Sequence, residues 1–267
     1  MERDTSGGSD VGRDIERDLG DEPPSSIRDA APDYLAPIDS ASPISGHTPA
    51  PEATTSAIDS PEHDWTRAQD LIYPAFRPVG TQGLDLSTLD RETLATQASV
   101  SHAQPLLDVG PAGLPVVYTI DAGAYDIVVN GDHLLSWGIG AVEIQDAAMR
   151  NLARWSASAP WTDEISGTRR LISSDTGDGW DAVRVLLPEV VAHLMSELAP
   201  YGRILVGLPE RHLLSAATLH PDDAEFAGLF ADFVVEQSGG ADEPVDRRVF
   251  ELVDGRLVEF DGGGPPA

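Results

Sequence analysis

Two carboxylates and two guanidiniums lie at the ends of predicted strands, and their types suit them to chemistry. Asp121 ends one apolar run, and Arg211 follows another. Asp181 and Arg184 lie where a third run begins. Converging on one rim, the carboxylates suit acid–base work and the arginines suit bidentate binding of an anionic or zwitterionic ligand. The alternative is structural, with Asp181–Arg184 and Asp121–Arg211 as ion pairs that tie strand ends together.

Histidines and glycines give weaker indications of a site. His212 and His220 flank an apolar segment, but no two histidines in the chain have the helical spacing typical of zinc sites, and we predict no metal. The loop DTGDG at 175–179 is followed by no Gly-Lys-Ser/Thr of a P-loop and lacks the closing Glu of an EF-hand loop. We interpret it as a connector. No Gly-x-Ser-x-Gly elbow of a serine hydrolase is present, and no cofactor is predicted.

The composition is strongly acidic. Asp and Glu number 45 against 17 basic residues, all of them Arg, so the formal charge is −28. Such a charge repels phosphates and anionic lipids, and we therefore predict a basic protein partner rather than nucleic acid or a membrane. Plain solubility or adaptation to high salt would explain the same charge. With no Cys and no apolar run of membrane-spanning length, we expect a cytoplasmic protein without disulfides.

Apolar residues are too sparse at the start of the chain to form a core. Residues 1–64 carry fifteen acidic residues, four Arg and eight Pro, with only isolated apolar residues between them. Ordering the backbone costs about 1–2 kcal/mol per residue, which so few side chains cannot offset. We predict a disordered acidic arm at 1–64, one folded domain at 65–262 and a frayed end at 263–267.

Within the predicted domain, tight turns join several strands and separate them from helices. The predicted strands are 115–120, 125–129, 169–173, 182–187, 203–207, 249–253 and 256–260. Helices are predicted from Trp65 to Pro74, at 141–155, from Pro188 and from Pro221, and 209–218 is predicted as an irregular turn. Tight hairpins require antiparallel pairing, so we predict an α+β fold, with three or four helices packed on a mostly antiparallel sheet.

Four segments, taken in order, resemble the YtpQ family of domains of unknown function. They are LPVVYTID, LLSWGIGAVEIQDAAMRNL, GDGWDAVRVLLPE and ILVGLPERHLL, which together contain all four candidate residues. The resemblance covers about residues 114–260, and VDGRLVEF near its end also fits. It implies an α+β domain but no activity. The chain departs from the family pattern at His212, three residues after Pro209.

Two functions are compatible with these residues. The first is a non-enzymatic binding or protein-interaction module whose acidic surface meets a basic partner. The alternative is a hydrolase-type enzyme that uses Asp121 and Asp181, with Arg184 and Arg211 as anion clamps. The alternative requires the four side chains to share one cleft. Whether the protein is an enzyme, and its oligomeric state, stay open at this point.

Overall fold

The computed structural model describes residues 60–96 and 102–262, and these form two β-sheets with helices packed on them. The predicted α+β class is confirmed. The predicted arm, apart from its last five residues, and the predicted frayed end lie outside the described residues. Ahead of the predicted boundary at Trp65, the Glu62 carbonyl accepts a hydrogen bond from Trp137 Nε1 at 2.8 Å.

The described residues contain eleven strands and six α-helices. The strands are β1 (Ile72–Phe76), β2 (Leu84–Asp85), β3 (Leu106–Val109), β4 (Pro115–Asp121), β5 (Asp126–Val128), β6 (Thr162–Ser166), β7 (Arg169–Ser174), β8 (Arg203–Glu210), β9 (Leu213–Leu219), β10 (Val249–Val253) and β11 (Arg256–Glu259). The helices are α1 (Trp65–Ala68), α2 (Arg91–Thr96), α3 (Gly131–Trp137), α4 (Ala141–Ser156), α5 (Pro188–Leu198) and α6 (Ala224–Gly240). No described helix is long and apolar enough to cross a bilayer.

The first sheet is built around β4, which is buried from Val116 to Ile120. Strand β1 pairs with it antiparallel, as do β3 and β5, while β2 pairs parallel with β3. The prediction that a helix runs from Trp65 through Ile72 until Pro74 stops it is wrong, because α1 ends at Ala68, and Ile72 and Pro74 lie within β1. An edge strand tolerates proline because the missing N–H can face away from the ladder.

The second sheet is wholly antiparallel, in the order β11-β10-β8-β9-β7-β6. Strand β9 is buried at all seven positions, so the prediction of an irregular turn at 209–218 is wrong. Helix α6 covers one face of the sheet through Phe230 and Val234, and the main core lies on the other. A strand covered on both faces shows no alternation of polar and apolar residues, which is why LLSAATL escaped recognition.

The predicted strand at 182–187 is also wrong. Residues Ala182–Leu186 form a 3-10 helix that leads into α5, which begins at Pro188 as expected. A short apolar run such as AVRVLL has the same appearance in a buried strand and in a buried helical turn. Asp181, directly before this 3-10 helix, and Arg184, within it, are therefore held by a turn inside the core rather than at a strand end.

A buried asparagine joins helix α4 to the first sheet. Asn151, on α4, donates hydrogen bonds of 2.9 Å to the carbonyls of Gln69 and Ile72. Helix α4 is thereby fixed against the start of β1. Before it, α3 is capped by Asn130, whose Oδ1 accepts from the His133 N–H while His133 Nδ1 accepts from the Asn130 N–H. Asp132 lies in the first turn of this helix.

Candidate functional site

Two of the four candidate residues line one cleft. Asp121, at the end of β4, and Arg211, between β8 and β9, face a cleft of about 510 Å³. We call it the acidic cleft; its lining is Arg77, Asp121, Gly123, Ala124, Tyr125, Asp126, Asp178, Trp180, Arg211, His212 and Glu243. Four carboxylates face two guanidiniums in this lining, so the local formal charge is −2 with His212 neutral.

Arg211 is held by carboxylates other than the expected one. Its three nitrogens reach Asp126 at 2.6 Å, Glu243 at 2.9 Å and the Gly179 carbonyl at 3.1 Å. Burial alone would lower the pKa of Arg211, but the hydrogen bonds and charges of Asp126 and Glu243 outweigh it and raise that pKa. Arg211 therefore stays a guanidinium whose donors are occupied.

The expected Asp121–Arg211 ion pair is replaced by Asp126–Arg211. Asp126 lies directly across the β4–β5 ladder from Asp121, so the partner strand supplies the carboxylate. Asp121 Oδ1 accepts from the Gly123 N–H at 2.8 Å, which closes the turn between the strands. Among the described residues, Asp121 makes no ion pair. Of the four carboxylates in the lining, Asp121 and Asp178 are the two that pair with none of the described cations.

The other two candidates, Asp181 and Arg184, lie in the core and line no part of the acidic cleft. Asp181 is 0% and Arg184 1% exposed. They do not form the expected direct pair but meet through Ser174, whose hydroxyl donates to Asp181 and accepts from Arg184 Nη1 at 2.6 Å. The predicted convergence of all four residues on one rim therefore does not occur.

Arg184 is enclosed by indole rings and backbone carbonyls. Its guanidinium lies 3.8 Å from the centre of the Trp161 ring and also donates to Ser156 and to the Pro160 carbonyl. Burial lowers the pKa of Arg184 to about 10, although the charge of Asp181 acts in the opposite direction. The side chain consequently remains protonated at neutral pH.

Asp181 shapes the loop that carries part of the cleft. Besides Ser174, its carboxylate accepts from the Thr176 N–H at 3.2 Å and from the Thr176 hydroxyl at 2.8 Å. These bonds close the DTGDGW segment at 175–180, which places Asp178 and Trp180 in the cleft. Asp181 and Arg184 are positioning residues, and the loop interpreted as a connector also forms a wall of the site.

An aromatic stack supports that wall. Trp180 stacks on Tyr73 with ring centres 3.9 Å apart, and Trp155 meets Trp180 edge-on at 5.5 Å. Trp155 Nε1 donates to Asp178 at 2.9 Å, which fixes the carboxylate beside the stack. Burial raises the pKa of the Tyr73 hydroxyl, and the negative charge of Asp121 raises it further. The wall is therefore rigid, largely apolar and close to two carboxylates.

Sequence reasoning missed several residues of this cleft. Asp126 and Glu243 were missed because each reaches Arg211 from a distant strand or loop. Trp180 had a usable signal, since the two glycines before it allow a tight turn that brings a large ring to the surface of a sheet. Two polar atoms of the lining, Trp180 Nε1 and His212 Nδ1, have no hydrogen-bond partner in the described structure.

The four segments on which the prediction of a YtpQ-like domain rests lie in β4, in α3 with α4, in the loop, 3-10 helix and first turn of α5 at 177–189, and in β8 with the start of β9. No family model, no curated protein and no solved structure matches the chain. A function is therefore supported by the cleft's geometry and charge alone.

The residues that suggested a metal site are dispersed. His212 lines the acidic cleft, whereas His220 lies beside β7 in a separate groove. Asp223, three residues after His220, accepts two hydrogen bonds from the Arg169 guanidinium, at 2.6 and 2.9 Å. Across residues 60–96 and 102–262, no group of three or more His, Asp or Glu side chains is placed to hold a metal ion. The cleft offers acceptors for organic cations instead.

Proposed function

We propose that the protein is a binding module that takes a cationic side chain of a basic partner protein into the acidic cleft. The main support for this proposal is that Arg211 already has partners within the protein. Its three guanidinium nitrogens contact Asp126, Glu243 and the Gly179 carbonyl. An anionic ligand would have to displace these partners. A guanidinium or ammonium group meets the carboxylate of Asp121 without displacing a protein cation.

The rim of the cleft suits an arginine side chain. Tyr125 is 63% exposed beside Asp121, and a guanidinium can stack on such a ring while a carboxylate accepts its hydrogen bonds. The charge of −28 would also steer a basic partner toward the surface and raise the association rate at low salt. The same charge supports a partner that is neither nucleic acid nor an anionic membrane.

We also propose that the chain is a YtpQ-like domain and that the protein is cytoplasmic. Of the candidate residues in the resembling segments, Asp121 and Arg211 line the cleft, and Asp181 and Arg184 shape its loop. The hydrolase alternative requires Asp121 and Asp181 in one cleft. Asp181 is wholly buried and hydrogen-bonded to Ser174 and Thr176, so no observation favours that alternative.

The test uses a ligand too short to pair with a strand. Acetyl-Gly-Arg-Gly-amide is titrated into the full chain and followed by NMR, with native protein compared with Asp121→Asn/Asp178→Asn. Both substitutions keep an acceptor oxygen for Gly123 and Trp155, so the fold is retained. We expect saturable shifts at the cleft and about tenfold weaker binding in the double variant, as expected when charge-assisted hydrogen bonds are lost.

The control removes the same charge elsewhere. Asp232→Asn/Glu236→Gln changes two exposed carboxylates on α6, so its net charge equals that of the cleft variant. Equal losses of affinity in the two variants would mean that the peptide senses only overall charge, which contradicts a specific cleft. Acetyl-Gly-Glu-Gly-amide binding as tightly as the arginine peptide would contradict it as well.

A further inference from the structure

We propose that β6 accepts an extended basic segment of a partner protein as an added strand. This goes beyond the acidic cleft, because no residue of β6 lines it. Strand β6 is the last strand of the six-stranded sheet, and no described strand pairs with its far side. Its backbone groups on that side are therefore open to a strand from outside.

Apart from the carboxylates of Asp163 and Glu164, the edge lacks the usual devices that prevent strand addition. Natural edges are blunted by charged side chains, lysine above all, and by proline, bulges or extreme shortness. Strand β6 contains no proline, the chain has no lysine, and the five residue pairs between β6 and β7 run without a register shift. All five residues of β6 are exposed. The strand is thus presented flat and uncovered.

The turn geometry identifies the backbone groups that face outward. Gly167 and Thr168 form a two-residue turn between Ser166 and Arg169, with Gly167 at a φ of 63°. Such a turn closes on a hydrogen-bonded residue pair, and pairs alternate along an antiparallel ladder. The N–H and C=O groups of Asp163 and Ile165 consequently point away from β7.

A groove with both apolar and charged side chains lies beside this edge. It has a volume of about 740 Å³ and is lined by Ile165, Arg169, Arg170, Glu197, Tyr201 and His220, among others. Ile165 is 70% and Tyr201 56% exposed. Alternate side chains of an added strand project to the same face, so every second residue would cover these apolar groups.

The acidic residues near β6 favour a basic segment as the added strand. Asp163 and Glu197 share one guanidinium, that of Arg170, and Glu164 has no ion-pair partner among the described residues. A second copy would bring its own acidic β6 and a charge of −28 to the edge. Residues 1–59 of the chain carry thirteen acidic residues against four Arg and would also be repelled. A basic segment from another protein fits the edge.

The first experiment asks whether the outward amides become protected. An acetylated eight-residue peptide of alternating Arg and Val is titrated into the ¹⁵N-labelled full chain. We expect shifts along β6 and slowed hydrogen exchange of the Asp163 and Ile165 amides, whereas a Glu-Val peptide leaves both unchanged. Unchanged exchange with the Arg-Val peptide, or protection that rises with protein concentration alone, would overturn the proposal.

Backbone substitution gives the sharper test. Ile165→Pro removes an outward donor without touching the β6–β7 ladder, and Ile165→Thr is the matched control that keeps the N–H and a β-branched side chain. One lost backbone hydrogen bond should weaken the peptide about fivefold in the proline variant only. Equal affinity of the two variants would contradict strand addition.

A charge reversal keeps the proposal testable if proline disturbs the hairpin. Glu164→Arg retains every backbone group, and we expect it to weaken the Arg-Val peptide and to allow the Glu-Val peptide to bind. An unchanged preference would overturn the assignment of a basic partner. In the cleft variant Asp121→Asn/Asp178→Asn, the shifts along β6 and the protection of the Asp163 and Ile165 amides should persist while the shifts at the cleft are lost, so failure at the edge and failure at the cleft are separable.

Discussion

Arg184 has the largest fully buried side chain among the described residues. Its charge is compensated by Ser156, Ser174 and backbone carbonyls, with Asp181 one hydrogen bond further away. Removing one member of such a buried polar network leaves the others without partners, which costs more than the network's net contribution to folding. The two candidates at 181 and 184 therefore matter to the cleft through the loop they stabilise.

We expect Arg184→Ala to lower the free energy of unfolding by about 3–5 kcal/mol, because Asp181 and Ser174 lose their counterpart and a cavity forms between two indole rings. Urea unfolding followed by tryptophan fluorescence measures the change. Arg256→Ala, at an exposed position on β11, should stay within about 0.5 kcal/mol of native protein. An Arg184→Ala protein as stable as native would contradict the role given to this residue.

His133 makes stability depend on pH. Burial lowers its pKa from the usual 6.5, although Glu62 and Asp132 act in the opposite direction and His63 acts with burial. The unfolded chain then binds the proton more readily, so this contribution to stability is complete above about pH 6.5 and is lost as the pH falls below it. Protonation also removes the acceptor at Nδ1 that caps α3.

Urea midpoints measured from about pH 7.5 to pH 5 should therefore fall more steeply for native protein than for His133→Gln, whose amide caps the helix at any pH. His220→Gln, on the other sheet, serves as the control and should follow the native curve. Parallel curves for native and His133→Gln would show that another group causes the dependence.

At the scale of elements, the loop that follows β7 depends on its glycines for different reasons. Gly177 and Gly179 both have positive φ angles, 80° and 87°. A Cβ at Gly177 would meet open space, whereas one at Gly179 would come within 2.6 Å of the Arg211 guanidinium. That guanidinium cannot easily withdraw because Asp126 and Glu243 hold it.

Gly177→Ala should cost about 1 kcal/mol through backbone strain alone. Gly179→Ala should cost about 1–2 kcal/mol more, because the new methyl group displaces Arg211 from its carboxylates. Urea unfolding of both variants measures the difference. Equal costs would mean that the guanidinium moves freely, and the cleft would then be less rigid than its hydrogen bonds imply.

Elements fixed by local signals were predicted from sequence, and elements fixed by distant contacts were not. The closing hairpin around Asp254 and the helix opened by Pro188 carry their turn and cap residues within a few positions. Strand β1 contains a proline that only its edge position allows, and β9 is recognisable only once both of its faces are covered. Neither fact is visible in a short window.

The candidate site shows the same difference between features fixed by local sequence and features fixed by distant contacts. Asp121 and Arg211 line one cleft although they lie at the ends of strands in different sheets, Asp121 at the end of β4 and Arg211 directly after β8. The predicted ion pair between Asp121 and Arg211 does not form. Arg211 pairs instead with Asp126, which the β4–β5 register places opposite Asp121, and with Glu243, on a loop that passes beside Arg211. Burial of Asp181 could not be foreseen, because it results from the 3-10 helix that replaced a predicted strand.

At the scale of the whole molecule, a charge of −28 opposes compaction through self-repulsion. Salt shortens the screening length from about 10 Å at 0.1 M to about 3 Å at 1 M, so we expect the thermal midpoint to rise with added NaCl. Each kcal/mol of repulsion removed should raise it by about 2–4 °C. Choline chloride at equal ionic strength should raise the thermal midpoint by a similar amount. A midpoint that does not change with salt concentration would contradict this expectation.

Strand order in the second sheet has a consequence for synthesis of the protein. Strand β8 pairs with β10 through Gly207 opposite Val249 and Leu205 opposite Glu251, although more than forty residues separate them in the chain. A nascent chain that has emerged only as far as α6 therefore exposes one side of β8. Until Val249–Val253 leaves the ribosome, that apolar strand is open to wrong pairing, and a stalled or truncated product would aggregate.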